Sequence, residues 1–273
     1  MTTAAGTLTA GQADSHFDRT VAVQTDADGR EDVFDVELDE TWASLRGVHG
    51  GYMTALAVRA AESVAPGRAV RTVATSFLRP GEVGAAVLRV EQLRTGRSFT
   101  TVAVELSQAG RPISNTRITL LAPVDGREWA EPVLDRPAPR EDCVAFTPPP
   151  SIRHFARAEL LLDPTTIPVG DGSPARIAGH VRPLENRPID AAWLTVIGDY
   201  FPPSPFRRFD PPVGGVSIDY TVHVHEVPGP DAEWLEGVFV TRTSSHGIAL
   251  EHGTIAVPGG GLVAETFHSR WTG

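Results

Sequence analysis

Residues 47–67 read GVHGGYMTALAVRAAESVAPG. The stretch opens with two glycines, runs through mostly apolar residues from Tyr52 to Val64, and stops at a Pro-Gly pair. This pattern predicts a single helix whose entry is rich in glycine and whose end is set by Pro66. Because few of its residues are charged, we expect the helix to be buried.

Four segments rich in valine, threonine, leucine and isoleucine follow the helix and are separated by short glycine-containing turns. This composition predicts strands. An uninterrupted run of strands after one helix indicates an antiparallel sheet and an α+β fold. The segments are RAVRTVATSFL (68–78), AAVLRVEQLRT (85–95), SFTTVAVELSQ (98–108) and PISNTRITLLA (112–122).

The second half of the chain repeats this plan. A strand-like segment at 174–184 precedes a predicted helix, DAAWLTVIGDYF (190–201), and four more strand-like segments follow. A repeat at about half the chain length predicts two similar units side by side. The four later segments lie at 214–226, 233–244, 247–257 and 261–271.

The residues between the two units are rich in proline, aspartate, glutamate and arginine, and they end in FTPPPS. Such a composition is typical of a connecting segment with little regular structure. We therefore predict an N-terminal domain at 1–122, a proline-rich linker at 123–150 and a C-terminal domain at 151–273.

The 273 residues are 41% hydrophobic, enough for a sizeable core, and carry a formal net charge of −10. That charge argues against binding to nucleic acid or to an anionic membrane. The single Cys143 excludes an intrachain disulfide and suits a reducing compartment. The first residues lack the basic start and apolar core of a signal peptide, and no apolar run reaches the roughly 18 residues of a membrane span. We expect a cytoplasmic protein.

The second predicted helix ends in VIGDYFPPS (196–204), where Pro202 and Pro203 must stop it. Asp199 in its last turn would face the negative end of the helix dipole, which disfavours a carboxylate by roughly a few tenths of a kcal/mol. A catalytic role would explain the residue, and so would exposure at a fraying helix end. Partial burial and the dipole both predict a raised pKa for Asp199.

The first helix opens with HGGY (49–52). Glycines at a helix N-terminus let a ligand oxygen approach free backbone N–H groups. Gly50 and Gly51, with His49 before them, are therefore candidates for an oxyanion and substrate site. The competing interpretation is that the glycines only permit close packing of the helix.

Several segments carry a family resemblance. In the first half they are GVHGGYMTALAVRAA (47–61), FLRPGEV (77–83) and VEQLRTGRSFTTVAVELSQAGRPI (90–113), and in the second half they are DAAWLTVIGDYFPP, VSIDYTVHVHE and GLVAETFH. In this order they resemble the type II (TesB-like) acyl-CoA thioesterases, in an actinobacterial-type branch. The resemblance implies a tandem hotdog fold, in which two antiparallel sheets each wrap around a central helix. It also implies a homodimer formed through the sheets, hydrolysis of acyl-CoA in fatty acid metabolism, and no cofactor or metal.

In this family an aspartate of the second hotdog activates the water, and a Ser or Thr and a Gln assist it. By the resemblance these positions fall on Asp199, Ser217 and His268, and His268 departs from the family's Gln. Single-hotdog thioesterases carry an acid two turns after HGG, where this chain has Val58. The resemblance therefore implies one composite site, with donors on the first helix, Gly51 N–H among them, and the base on the second.

Three expectations follow for these residues. Strict alternation along the strand places Ser217 on the face opposite to Tyr220. The nearby Asp199 is expected to raise the pKa of His268, so activity should decline as the pH falls through a value of about 6.5 or higher. Asp199→Asn is expected to change stability little, because the helix dipole opposes the carboxylate.

A group of arginines lies near the end of the first helix and in the turns that follow. They are candidates for binding the phosphates of CoA, which an acidic protein must meet with local positive charge. Surface solubility explains each of them equally well. The residues are Arg68, Arg71, Arg94 and Arg97, with Arg79 beside them.

Four other interpretations compete with this thioesterase interpretation: a metal site, a serine hydrolase, a hydratase, whose catalytic run is not present, and a binding protein. His223 and His225 lie two apart on one strand face, a spacing that can bind metal with His246, His252 or Glu226 as third ligand. The segment GVSID fails the nucleophile-elbow pattern of serine hydrolases at its last position. A hydratase of the same fold would need a catalytic Asp and His together in a helix-entry loop. A non-catalytic acyl-CoA-binding protein is the remaining alternative, favoured by loss of the family's Gln.

Overall fold

The computed structural model describes residues 15–209 and 215–273. In the first half the elements are α1 (His16–Thr20), β1 (Gln24–Thr25), β2 (Val33–Leu38), β3 (Ala43–Ser44), β4 (Gly47–Val48), α2 (Gly50–Val64), β5 (Ala69–Phe77), β6 (Gly84–Thr95), β7 (Phe99–Gln108) and β8 (Arg111–Leu121). In the second half they are β9 (Val144–Ala145), β10 (Ala158–Leu162), β11 (Arg176–Pro183), α3 (Ala191–Ile197), β12 (Val216–Val224), β13 (Leu235–Ser245), β14 (Ile248–Ala256) and β15 (Leu262–Trp271).

The two halves have the same strand order. In the first half it is β2-β6-β7-β8-β5, and in the second it is β11-β13-β14-β15-β12. Each of these five strands therefore has a counterpart in the other half, as the sequence repeat predicts. β5 pairs with its counterpart β12 in antiparallel fashion, with Ala74 opposite Thr221. The halves thus meet about an approximate twofold axis that passes between β5 and β12.

The pairing of β5 with β12 corrects the prediction of two separate sheets. Across residues 15–209 and 215–273, thirteen strands form one continuous antiparallel sheet, and β3 with β4 forms a small second one. An edge strand presents unpaired N–H and C=O groups, and β5 and β12 would each be such an edge if the halves stood apart. Joining them satisfies both edges, so the two hotdog-like halves share a single sheet.

Helices α2 and α3 lie side by side and run antiparallel. The start of α2 contacts the end of α3, since Thr195 Oγ1 lies 3.4 Å from Gly51 O, and Arg59 late in α2 pairs with Asp190 before α3. Every residue of α3 is buried, as are ten of the fifteen residues of α2. α3 is shorter than the predicted 190–201, because its last helical residue is Ile197.

An aromatic cluster fills the space beside the two helices. Trp42 stacks on Tyr52 with ring centroids 4.9 Å apart, and Phe17 of α1 stacks on Trp193 of α3 at 4.4 Å. All four side chains are fully buried. Burial of a large apolar side chain contributes about 1.5–3 kcal/mol, so this cluster holds α1 firmly against α3.

The segment that follows β8 crosses to the second half. Residues 122–139 contain no helix or strand, whereas β9, within the predicted linker, pairs with β10. Arg136 fixes the segment by contacting Glu236 of β13 and by donating to the Gly260 carbonyl at 2.5 Å. In the part of the chain that is described, no helix has the length and apolar character needed to cross a membrane.

The end of α3 packs closely on the sheet at Gly198, and a substitution at this residue tests that packing. A Cβ built on it would overlap Tyr220 Oη and would lie 2.6 Å from Thr266 Cγ2. Gly198→Ala should therefore lower the free energy of unfolding by about 1–3 kcal/mol, the usual cost of overpacking. Urea unfolding measures this effect. Gly229→Ala, where nothing lies within 4 Å, is the control. Equal stability of the two variants would contradict this packing.

Candidate active site

Asp199 lies in the turn after α3 and not within the last turn of the helix. Gly198 caps the helix, and the Asp199 N–H donates to the Val196 carbonyl at 3.1 Å. The Asp199 side chain is 8% exposed, so the interpretation of a solvent-facing carboxylate at a fraying end is wrong. The turn directs this side chain away from the axis of α3 and toward the other half of the molecule.

The Asp199 carboxylate faces the N-terminus of α2. Gly51 N–H donates to its Oδ2 atom at 2.9 Å. The N-terminus of a helix carries partial positive charge and unpaired N–H groups, so it stabilises an anion. The unfavourable dipole of α3 is thereby offset by the favourable dipole of α2.

Both glycines of the HGG motif are required by this contact. A Cβ on Gly50 would lie 3.0 Å from Asp199 Oδ2, and a Cβ on Gly51 would lie 3.0 Å from Asp199 Cβ and 2.8 Å from the Thr195 carbonyl. The glycines do permit close packing, as the competing interpretation held. The group that they admit is the carboxylate of the second half.

His49 completes the contact between the halves. Its Nδ1 accepts a hydrogen bond from Tyr52 N–H at 3.2 Å, so the ring proton resides on Nε2. That Nε2–H donates to the Asp199 carbonyl at 2.8 Å and lies 3.3 Å from Oδ2. The ring is 5% exposed, and its two hydrogen bonds fix its orientation.

His268 lies on the other side of the same carboxylate. Its Nε2 is 3.3 Å from Asp199 Oδ1, and the side chain is completely buried. The imidazole stacks on the Tyr220 ring, with centroids 4.1 Å apart and planes 9° apart. Tyr220 Oη donates to the Thr195 carbonyl at 2.8 Å, which ties this stack to α3.

Two buried charged residues beside His268 were missed by the sequence analysis. Arg270 of β15 has its guanidinium 3.5 Å from Asp199 Oδ1, and Glu251 of β14 pairs with Arg270 at 2.7 Å. Arg270 is two residues from His268 and hence on the same strand face. The two-residue period of a strand could have identified Arg270 from sequence alone. A His that is assigned to the site implies that the residue two positions later also points inward.

Ser217 reaches the carboxylate through Arg270. A β-bulge between Ser217 and Asp219 breaks the alternation of β12, so Ser217 pairs with Arg270 while Tyr220 pairs with His268. Ser217 therefore shares the inner face with Tyr220, contrary to expectation. Its Oγ accepts from Arg270 Nη1 at 3.3 Å. Bulges of this kind commonly redirect side chains beside functional sites.

The charges around Asp199 reverse its expected pKa shift. Burial raises the pKa of Asp199, but His49, His268, Arg270 and the Gly51 N–H together lower it to about 2. The expected rise is therefore wrong. The carboxylate is an anion at every physiological pH.

The expected rise in the pKa of His268 is also wrong. Burial and the Arg270 charge lower this pKa well below its ordinary range, and together they outweigh the attraction of Asp199. Wild-type activity should therefore show no acidic limb near pH 6.5 from His268. The neutral ring can hydrogen-bond a water as the family's amide would.

The N–H groups that open α2 limit where an oxyanion can bind. The amides of Gly51, Tyr52 and Met53 donate to Asp199, to His49 Nδ1 and to the His49 carbonyl. The predicted role of Gly51 N–H as oxyanion donor therefore conflicts with its bond to the carboxylate. Within residues 15–209 and 215–273, Gly50 N–H has no protein acceptor.

Four of the five arginines suggested for CoA, all except Arg79, lie far from Asp199. β5 runs from Ala69 to Phe77, and the Phe77 ring is the end that borders Gly50. Arg71 lies six residues before Phe77, about 20 Å along the strand. Arg68, Arg94 and Arg97 lie at that same remote end, where Arg68 donates to Gly96 O at 2.8 Å and the Arg94 guanidinium covers the Phe99 ring.

The histidines considered for metal binding lie on the outer face of the sheet. His225 and His252 each contact the Glu265 carboxylate, at 3.0 and 3.2 Å. His223 Nδ1 lies 3.4 Å from Thr72 Oγ1 instead. Within the described part of the chain, no group of three or more metal-ligating side chains is arranged to hold a metal ion.

Comparison with known proteins identifies the family. The acyl-CoA thioesterase N-terminal domain matches residues 38–121, and the acyl-CoA thioesterase C-terminal domain matches residues 130–270. The chain belongs to the acyl-CoA thioesterase family. The predicted family and enzyme class are thereby confirmed, and the non-catalytic alternative is set aside.

Relatives and solved structures agree with this assignment. An uncharacterized protein of Mycobacterium tuberculosis strain H37Rv is 30% identical over 202 residues, which are 64% of this chain and 69% of the relative. A hot dog protein of unknown function from Alicyclobacillus acidocaldarius has a TM-score of 0.85 at 21% identity, covering 95% of this chain and 98% of its own. An acyl-CoA thioesterase II from Mycobacterium marinum has a TM-score of 0.74 at 20% identity, covering 94% and 98%. These structural similarities establish the hotdog fold of the acyl-CoA thioesterase chain.

The lowered pKa of Asp199 predicts how stability depends on pH. Because the folded-state pKa is depressed from 3.8 to about 2, ionised Asp199 stabilises the fold above about pH 4, and this contribution is lost as the pH falls toward 2. A shift of this size corresponds to about 2 kcal/mol. Asp199→Asn should therefore be about 2 kcal/mol less stable than wild type at pH 7, contrary to the expectation from α3 alone.

Denaturant unfolding of both proteins from pH 7 to pH 2 measures this difference. The two stabilities should converge at the acidic end of the range. A constant difference between them, or none at pH 7, would show that the Asp199 charge is not balanced as the contacts indicate.

Proposed function

We propose that this thioesterase hydrolyses acyl-CoA with a water held between Asp199 and His268. One observation carries the proposal. Asp199 Oδ1 and His268 Nε2 lie 3.3 Å apart, and Nε2 is a buried polar atom without a hydrogen-bond partner among the described residues. Since Oδ2 is engaged by Gly51, Oδ1 is the oxygen that can accept from a water.

The low pKa of Asp199 defines its chemical role. A carboxylate with a pKa of about 2 is always ionised but is a weak base toward an ordinary water. Its part is first to orient the water, by accepting one of the two protons in a hydrogen bond. It takes that proton only as the water oxygen bonds to the thioester carbon, when the proton becomes strongly acidic.

The proposed reaction then balances in two steps. In the first, the water oxygen attacks the carbonyl carbon and its proton moves to Asp199 Oδ1, which leaves a tetrahedral oxyanion. In the second, the carbonyl re-forms, the C–S bond breaks, and the CoA thiolate takes the proton from Asp199. The products are a carboxylic acid and CoA, and Asp199 is again an anion.

Gly50 N–H is the best-placed donor for the oxyanion, and His49 precedes it at the start of α2. Gly50 opens α2, so its N–H points out from the positive end of the helix. It lies next to Asp199, since its position permits no side chain against Oδ2. A donor aimed at the developing oxyanion contributes about 2.7–4 kcal/mol in other acyl-transfer enzymes.

Several wider features belong to the same proposal. We assign residues 1–122 and 151–273 to the two hotdog units and 123–150 to the linker, which is supported by the strand order repeated in the two halves. A cytoplasmic location is supported by the single free Cys143. Participation in fatty acid metabolism follows from the acyl-CoA substrate of the family.

The proposed homodimer would form through the outer face of the sheet. Three apolar side chains are exposed there on β14 and β15, with Leu250 62%, Phe267 46% and Trp271 43% accessible. A second copy would cover them.

The remote arginines, Arg68 and Arg71 among them, stay candidates for the CoA phosphates, because the CoA arm extends far from its sulfur.

Asp199→Asn tests the proposed base directly. Asn preserves the shape and can still accept from Gly51 N–H, but it cannot take the proton. Turnover should fall by about 10² or more, the scale for loss of a general base. Asp163→Asn is the matched control, because Asp163 is also a buried carboxylate with a lowered pKa, and its partners are Thr165 and Ala138.

The measurement is release of free CoA, detected with a thiol reagent, from acyl-CoAs of several chain lengths. The Asp163 variant should keep wild-type turnover although it loses stability. If Asp199→Asn retained most of its turnover on the best substrate, the assigned base would be rejected.

A further inference from the structure

Arg270 is a buried cation at the centre of the site that the hydrolytic scheme does not yet use. It is 3% exposed, and its guanidinium reaches four side chains. Nε donates to Glu251 Oε1 at 2.7 Å, Nη1 donates to Ser217 Oγ at 3.3 Å, and Nη2 donates to His268 Nδ1 at 3.1 Å while lying 3.5 Å from Asp199 Oδ1. The three predicted catalytic residues, Asp199, Ser217 and His268, therefore all contact Arg270.

The contact with His268 determines where the imidazole proton lies. A guanidinium can donate hydrogen bonds but cannot accept them, so His268 Nδ1 must be the acceptor. The proton of the neutral ring is then on Nε2, the atom that faces Asp199 Oδ1. Arg270 also blocks a second proton at Nδ1, because that proton would point directly at a guanidinium N–H.

Glu251 fixes Arg270 in this position. Its Oε1 accepts from Arg270 Nε, and its Oε2 accepts from the Ser204 N–H at 2.6 Å. Glu251 stands directly opposite His268 in the β14–β15 register, and its side chain is 1% exposed. A buried carboxylate with both oxygens bound is a rigid anchor, since leaving either charge unpaired would be costly.

We propose that Arg270 and Glu251 are positioning residues that keep His268 neutral, with its Nε2–H directed at the hydrolytic water. Neither residue touches the substrate in this scheme. The inference rests on the proposed hydrolysis, since a water between Asp199 and His268 is what the positioned N–H would serve. Without Arg270, a proton at Nδ1 would turn His268 into a cation that pairs with Asp199 and removes the acceptor from the water.

The surroundings of His268 support this consequence. Arg270 is the guanidinium that balances the two carboxylates beside the ring, so its removal leaves Asp199 and Glu251 facing His268 without that cation. Burial, Arg270 and His49 hold the pKa of His268 well below its ordinary value, and Asp199 raises it. The groups that face the ring are Arg270 on β15, Glu251 on β14, Tyr220 on β12, Asp199 after α3 and His49 before α2.

Arg270→Met tests the proposal, because Met fills a similar volume without donating or carrying charge. Wild-type kcat should be flat from about pH 5.5 to pH 8. The variant's kcat should fall toward the acidic end of this range, approaching about tenfold for each pH unit once His268 becomes protonated, with little change in KM. The double variant Arg270→Met/His268→Gln, which has no titrating ring, should lose this acidic limb.

Two further variants keep the test decisive. Glu251→Gln/Arg270→Met removes both buried charges and replaces the first variant if loss of the cation alone prevents folding; it should show the same limb. Arg187→Met is the matched control, since Arg187 is another buried arginine, paired with Asp18 and Asp190. It should lose stability but keep the flat profile, because nothing near His268 changes.

A second readout does not depend on catalysis. Nitrogen-15 NMR of histidine-labelled protein should show His268 as the neutral Nε2–H form from about pH 5.5 to pH 8 in wild type, and titrating in that range in Arg270→Met. A variant that keeps both the flat profile and the neutral ring would overturn the inference. Activity remaining in Asp199→Asn would instead defeat the hydrolytic scheme, while the NMR result would still decide the role of Arg270.

Discussion

The site depends on one contact between the halves, in which the carboxylate of Asp199 lies against the first N–H groups of α2. A carboxylate just beyond the C-terminus of α3 is unfavourable by itself, and a buried one without donors would be more so. Gly51 N–H, His49 and Arg270 supply the hydrogen-bond donors and the positive charge that the C-terminus of α3 lacks. The relative placement of the two halves is therefore required for this anion to be buried at all.

The internal repeat could have produced two such sites, but the pseudo-equivalent place is closed. At the N-terminus of α3 the side chain of Asp190 accepts from Trp193 N–H, so the helix is capped from within its own half. Arg59, late in α2, pairs with Asp190 at 2.6 Å, and its neighbour Val58 stands where single-hotdog thioesterases carry an acid. An arginine that faces a capped helix N-terminus cannot activate water. This pseudo-equivalent place therefore contributes to stability and not to catalysis.

Much of this arrangement could be predicted from sequence, and the rest could not for identifiable reasons. The helix at 50–64 and the strands after it follow from glycine placement and alternation, which are local. The joining of β5 to β12 and the shift of Ser217 to the inner face depend on strand pairing and on a bulge, which no local pattern specifies. The fall in the pKa of Asp199 depends on His49, His268 and Arg270, which are distant from Asp199 in sequence and meet it only in the folded molecule.

In the proposed hydrolysis, the arrangement of buried charges favours the transition state over the resting state. Two carboxylates, Asp199 and Glu251, face the one guanidinium of Arg270 in this site. In the proposed scheme the water proton moves to Asp199, and the negative charge of the carboxylate appears on the thioester oxygen instead. There it meets the N-terminus of α2, the same dipole that held Asp199. The helix dipole can thus stabilise first the base and then the oxyanion, with no reorganisation between the two steps.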